Sequence, residues 1–221
     1  MRGVIFDLDE TLVDRRGSLG IYCRKLYLDF GESVVLPASQ FTAEFHRLDD
    51  NGRVPRDEFF KALSAAAFRN VPSALIKEHF EATAWVQPRL FDGIVDLLVS
   101  LRAQDLRIGV ITNSGVPSQS AKLNNTGLSD LIDASVISAA FGSKKPAPGI
   151  FHHMIDGLRI DPHQSWFVGD DPRADVWGAN QVGFRTCWVE RYTPWPADLP
   201  RCYDVRIEHT IHCLGIVTSV V

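Results

Sequence analysis

Three acidic side chains, Asp7, Asp9 and Glu10, fall within four consecutive positions behind the apolar run Val4–Phe6, with Thr11 next. Carboxylates this close repel one another when all are ionised and dry. A further aspartate, Asp170, follows the run Trp166–Val168 and Gly169. Thr112 and Asn113 close the run Ile108–Ile111, and Lys145 lies in the loop after Ala134–Ile137. If these stretches meet, a divalent cation among Asp7, Asp9 and Asp170 relieves the crowding. Oxygen donors of this kind suit Mg2+, which keeps several waters and takes one or two carboxylates plus phosphate oxygens. Lys145 and the Thr112 hydroxyl then have an evident partner in the remaining oxygens of a phosphoryl group.

A parallel sheet would bring these residues to one edge. The runs named above, with Thr186–Val189, are nearly continuous in apolar residues, as strands buried on both faces are. Between them lie helical periodicities: Ile94, Leu97, Leu98 and Leu101; Ile150, Phe151, Met154 and Ile155, with Gly157 as a stop; Val176 and Ala179, ended near Gly183; and a weaker stretch over Ser118–Asn125, closed by Gly127. Alternating strands and helices predict an α/β fold, a Rossmann-like doubly wound sheet whose ligands bind beyond the carboxyl ends of the strands. Residues 15–88 read as helices only. Leu19, Tyr22, Leu26 and Phe30 mark one; Phe41, Phe45 and Leu48 a second; Phe59, Phe60 and Leu63 a third behind Pro55; Ile76 and Phe80 a fourth capped by Ser73. The expected organisation is an α/β core from residues 1–14 and 89–221, with an all-helical insertion over 15–88. The tail Tyr203–Val221 is expected to add a short helix around Ile207–Leu214.

The bulk numbers exclude several classes. The chain has 221 residues, 45% of them hydrophobic, enough for a substantial core. A formal charge of -4 leaves no basic excess for nucleic acid. No apolar run approaches the ~18 residues of a membrane span. The opening MRGVIFD runs directly into a strand, too short a lead for a signal peptide. Cys23, Cys187, Cys202 and Cys213 lack zinc-type spacing and read as reduced thiols of a cytoplasmic protein.

With these residues placed, four segments resemble the signatures of the haloacid dehalogenase-like (HAD) hydrolase superfamily. Asp7-Leu8-Asp9-Glu10-Thr11 resembles its DxDxT motif, and Ile111-Thr112-Asn113 its second motif. Lys145-Pro146, opening a helix, resembles the third, and Gly169-Asp170-Asp171-Pro172-Arg173-Ala174-Asp175 the GDxxxxD fourth. They occur in family order over about two thirds of the chain. The resemblance implies a Rossmann-like core, a C1-type helical cap in the insertion, and hydrolysis of a small phosphorylated metabolite. It implies Asp7 as nucleophile forming an aspartyl-phosphate, Asp9 as general acid and base, and Lys145 stabilising the transferring group. Thr112 and the Asn113 amide would hold phosphate. Mg2+ would be held by Asp7, the Asp9 carbonyl and Asp170, with Asp175 orienting the metal shell or Lys145 and Asp171 supplying an outer oxygen.

Other readings of the same residues are a phosphomutase, a 2-haloacid dehalogenase and a non-catalytic phosphate-binding module. The dehalogenase branch lacks an aspartate two positions after its nucleophile, so Asp9 disfavours it. The module would be expected to lose a motif residue, and none is lost. Asp49-Asp50-Asn51-Gly52 with Glu58 imitates a calcium loop, but Arg47 stands where the first carboxylate belongs. The segment reads instead as an interhelical turn, with Asp49, Asn51 and Arg53 as candidates for substrate contact.

Overall fold

The computed structural model describes residues 1–218. In chain order the elements are β1 (Gly3–Phe6), α1 (Arg15–Phe30), α2 (Ala38–Asp49), α3 (Arg56–Ala67), α4 (Ser73–Thr83), α5 (Ile94–Arg102), β2 (Arg107–Thr112), α6 (Val116–Asn125), β3 (Ala134–Ile137), the single turn α7 (Ser138–Phe141), α8 (Pro148–Leu158), β4 (Trp166–Gly169), α9 (Gly178–Gln181), β5 (Arg185–Val189), β6 (Val205–Ile207) and α10 (Cys213–Thr218). Contacts divide the chain into two compact units, Arg15–Arg89 and the remainder.

The larger unit is built on a six-stranded sheet of order β3-β2-β1-β4-β5-β6, every pair parallel. Successive side chains of a strand point to opposite faces. On β1 this sends Val4 and Phe6 into one apolar cluster with Ile94, Leu98 and Leu101 of α5, and Ile5 into another with Ile150, Phe151 and Met154 of α8. Burying each such side chain fully stabilises the fold by about 1.5–3 kcal/mol. Gly109 of β2 lets α8 approach closely, since a Cβ there would lie 2.8 Å from Met154 Sδ and 2.9 Å from Ile5 Cδ1. The doubly wound α/β class read from the sequence is the fold observed. The order reverses beside β1: β2 and β3 lie to one side, β4, β5 and β6 to the other. A crevice opens at such a switch point, beyond the carboxyl ends of the strands.

Several local expectations are corrected. The tail carries a strand, β6, before its helix, and the helix starts at Cys213, later than expected. β6 has three residues in an edge position, half-buried, exposed and buried in turn, too short to show a period. The tail reading extends to Val221, and residues 219–221 lie outside the described residues. Helix α8 runs through Gly157, and Arg159, with φ 53°, makes the left-handed stop. The stretch around Val176 begins as a wide π-type turn, Pro172–Trp177, before α9. Ser73 is the first residue of α4 rather than its cap, which is Pro72 without a side-chain bond.

The smaller unit packs α1–α4 through apolar faces holding Leu19, Tyr22, Phe41, Phe45, Phe59, Leu63, Ile76 and Phe80. Phe45 meets Phe59 edge to face at 5.0 Å, and Tyr22 meets Phe80 likewise at 5.2 Å. Asp49, proposed above for substrate contact, is 1% exposed and paired with Arg15 at 2.7 Å and Arg56 at 2.8 Å. It also accepts the Gly52 N–H at 3.0 Å, so it holds the turn together rather than facing outward. Gly52 adopts φ 80° there, a conformation that favours glycine.

Candidate functional site

The register of β1 fixes where its acidic tail emerges. Phe6 pairs with Val110 on one side and Val168 on the other, so Asp7 stands near the carboxyl ends of both neighbouring strands, β2 and β4. Its N–H still donates to Val168 O at 2.9 Å, the last rung of the ladder. The chain then curls. Leu12 and Val13 N–H groups both donate to Leu8 O, Glu10 N–H donates to Val13 O, and Glu10 takes φ 60°. Sequence spacing permits this turn without dictating it. Distant groups pin it: Thr210 Oγ1 donates to Thr11 O at 2.6 Å, and Arg191 Nε to Glu10 O at 3.3 Å.

Lys145 is buried and lies between two carboxylates. Its Nζ is 2.6 Å from Asp7 Oδ1, 2.6 Å from Asp175 Oδ1 and 2.7 Å from Ile111 O, to which it donates. The neighbouring Lys144 is exposed. Asn113 locks the lysine backbone, accepting the Lys145 N–H and donating to Lys145 O, both at 2.9 Å. Thr112 is buried at the end of β2.

The fourth segment explains its own spacing. Asp171 caps the turn Pro172–Trp177, its carboxylate accepting the Arg173 and Ala174 N–H groups at 2.9 and 2.8 Å. That turn returns Asp175 to the strand end, where its Oδ2 accepts the Asp171 N–H at 3.0 Å. Gly169 leaves the room: a Cβ there would lie 2.5 Å from Asp175 Cβ and 2.6 Å from its Cγ. Trp188 of β5 donates its indole N–H to Asp170 O at 3.1 Å.

Negative charge exceeds positive in this cluster. Burial pushes the Asp7 carboxyl up to about 7, with Lys145 pulling against it and Asp175 and Asp9 adding to it. Burial, then Asp7 and Asp175, hold Asp170 well above the usual carboxylate range. Burial raises Asp175 too, against the pull of Lys145. Lys145 loses hydration by burial, yet Asp175 and Asp7 keep its ammonium more firmly protonated than in water.

These residues fit a hard cation. One oxygen each from Asp7, Asp170 and Asp175 lies within 4.8 Å of the others. The donors are all oxygen, as magnesium prefers. Buried Asp175 Oδ1 meets Lys145 by charge and distance but without hydrogen-bond alignment.

Asp9 is bound elsewhere. Its carboxylate takes Lys122 Nζ at 2.7 and 2.6 Å and Gln119 Nε2 at 3.0 Å, both from α6. Sequence reasoning missed this pair, whose only signal is two long polar side chains three apart on a weakly apolar helix.

Comparison with known proteins identifies the family. The family model of the haloacid dehalogenase-like hydrolases matches residues 4–189. The pyrimidine 5'-nucleotidase YjjG of Escherichia coli (strain K12) is 30% identical over 200 residues, 86% of each chain. The glyceraldehyde 3-phosphate phosphatase of Pyrococcus abyssi (strain GE5 / Orsay) is 26% identical over 203 residues, 85% of this chain and 80% of that one. In fold, the Bacillus subtilis HAD-hydrolase YfnB, in a crystal form bound to magnesium, superposes over 98% of each chain with a TM-score of 0.81 at 21% identity. Both the motif-bearing strands and the helical insertion lie within that alignment, and the chain belongs to the haloacid dehalogenase-like hydrolases.

Proposed function

We propose that the protein is a magnesium-dependent phosphatase acting on a small phosphate monoester. The observation that carries this reading is the meeting of Asp7, Asp170, Asp175 and Lys145 at the switch point of the sheet. Asp7, Asp170 and the Asp9 carbonyl would hold Mg2+, which would neutralise the crowded carboxylates and draw charge from the phosphoryl oxygens. That relatives are named as phosphatases of a triose phosphate and of nucleotides supports the small-ester class.

The chemistry follows from the side chains. An Asp7 oxygen attacks phosphorus while the bond from phosphorus to the leaving oxygen breaks. The electron pair stays on that oxygen, which takes a proton from the Asp9 carboxyl, giving an alcohol and an aspartyl-phosphate. Water then attacks phosphorus and gives its proton to Asp9. The bond from Asp7 to phosphorus breaks, releasing inorganic phosphate. Lys145 stabilises charge on the phosphoryl oxygens throughout, and Thr112 with the Asn113 amide positions them. Asp175 orients Lys145, and Asp171 shapes the turn that presents Asp175. The insertion, by its place between the first and second motifs, is assigned the role of a cap that selects the leaving group.

The test is phosphate release across a panel of sugar phosphates, triose phosphates and nucleoside monophosphates with Mg2+. Release that is abolished by chelator and by Asp7→Asn supports the reading. A metal-loaded protein inert on the whole panel, or halide release from 2-haloacids, overturns it.

A further inference from the structure

We propose that Lys122 and Gln119 are positioning residues that hold the Asp9 carboxylate on the leaving-group side of the reaction, away from the cation cluster. This rests on the phosphatase reading and adds two residues to it.

Gln119 and Lys122 lie three apart on α6, and residues so spaced share one helix face. Gln119 is 0% exposed and Lys122 1%. Burying an amide and an ammonium is costly unless each finds polar partners. Here they do: Lys122 spans both Asp9 oxygens, Gln119 Nε2 takes Oδ2, and Lys122 also reaches Gln119 Oε1 at 3.3 Å. Thr126 Oγ1, donating to Lys122 O at 2.6 Å, steadies the end of the helix.

The two aspartates of the DxD segment thus have separate lysines. Asp7 belongs to Lys145 and Asp9 to Lys122, and the group suited to a cation holds Asp7, Asp170 and Asp175 without Asp9. Without Lys122, Asp9, two residues from the nucleophile, loses the bonds that span both of its oxygens. With it, one rotamer is held by two charge-assisted bonds and an amide. General acid catalysis needs that fixed placement, with Asp9 protonated on one oxygen while Lys122 keeps its bond to the other.

The experiment compares kcat/KM for an ester with a poor leaving group, glycerol 2-phosphate, and one that needs little protonation, p-nitrophenyl phosphate. The variants are Lys122→Met, Lys122→Arg, Gln119→Leu, Asp9→Asn and the double variant D9N/K122M, each first shown by circular dichroism to be folded at the assay temperature. The expected result is a loss for K122M at least about tenfold greater on the alkyl ester than on the aryl ester, since a positioned general acid contributes roughly 10²–10⁴-fold. K122R regains most of it, Q119L shows a milder version, and D9N/K122M falls no further than D9N. Equal losses on both esters, or additive losses in the double variant, overturn the assignment while leaving the phosphatase reading intact. A wild type inert on both esters and on the panel of sugar, triose and nucleoside phosphates overturns the two together.

Discussion

Lys145 Nζ and Asp7 Oδ1 lie 2.6 Å apart in a setting almost closed to solvent, the lysine side chain 1% exposed and the aspartate 10%. A pair so buried is costly to form and costlier to break from one side. Lys145→Met strips Asp7 and Asp175 of their common cation and should destabilise the fold by about 3–5 kcal/mol. It should also lower kcat by roughly 10²–10³, the loss typical of removing one preorganised charge donor. Lys145→Arg should rescue neither, because a planar fork does not fit a slot built around a point charge. Urea titration and saturating phosphate release measure the two effects. An active arginine variant would count against the role given to Lys145.

Asp7 also sets a pH dependence. Its folded carboxyl titrates near 7 and its unfolded one near 3.8, so the folded chain holds an extra proton between those values. The stabilisation from this group is complete below about 4 and is lost as pH rises through 7. Cation-free protein should therefore become more stable as pH falls from 7 toward 4, as far as Asp7 decides. Magnesium must displace that proton, so its stabilisation should be larger at pH 8 than at pH 5.5. At a hundredfold excess over Kd the gain approaches about 2.7 kcal/mol. Scanning Tm against pH with and without Mg2+ checks both signs. Asp170→Asn should lose most of the magnesium shift, and a shift unchanged in that variant would remove Asp170 from the proposed metal set.

Gly169 offers a test without any change of charge. A Cβ at this position would overlap the Asp175 side chain, and Asp175 touches Lys145. Overpacking of this kind costs about 1–3 kcal/mol. Gly169→Ala should lose that much stability but considerably more activity, since a displacement near 1 Å can cost about 10²-fold in rate. If kcat survives while stability falls, the placement of Asp175 does not govern Lys145.

The sheet is readable in the sequence because its strands are buried on both faces and leave continuous apolar runs such as Val4–Phe6 and Trp166–Val168. Asp7 and Asp170 stand out because each interrupts such a run at its end. Asp175 is legible only through family resemblance: what brings it back is a π-type turn capped by Asp171, and no period marks that. The supports of the acidic loop are invisible for another reason. Arg191 reaches Glu10 across 181 positions and Thr210 reaches Thr11 across 199, contacts that only the packed fold specifies. Asp49 misleads in the opposite direction. A polar residue beside Asn51-Gly52 reads as solvated, yet Arg15, 34 positions earlier, draws it inside.

That buried aspartate supplies a test confined to the helical unit. Burial works to raise the Asp49 carboxyl, but Arg15 and Arg56 overcome it and hold it below its ordinary value of 3.8. Its contribution is therefore complete above about pH 4 and is lost as pH falls through the lower folded value. Asp49→Asn keeps the shape, leaves two guanidinium groups around a neutral amide, and should cost about 3–5 kcal/mol at pH 7. The cost falls toward the low end because the Arg56 side chain is 35% exposed and partly hydrated. The gap between wild type and variant should stay level from pH 8 to 5 and close below pH 4, as the wild-type carboxylate takes its proton. Chemical denaturation at fixed pH values, read by the near-ultraviolet signal of the aromatic cluster around Phe45 and Phe59, follows this unit. A gap that persists undiminished to pH 2 would mean that shape, not charge, is what Asp49 contributes.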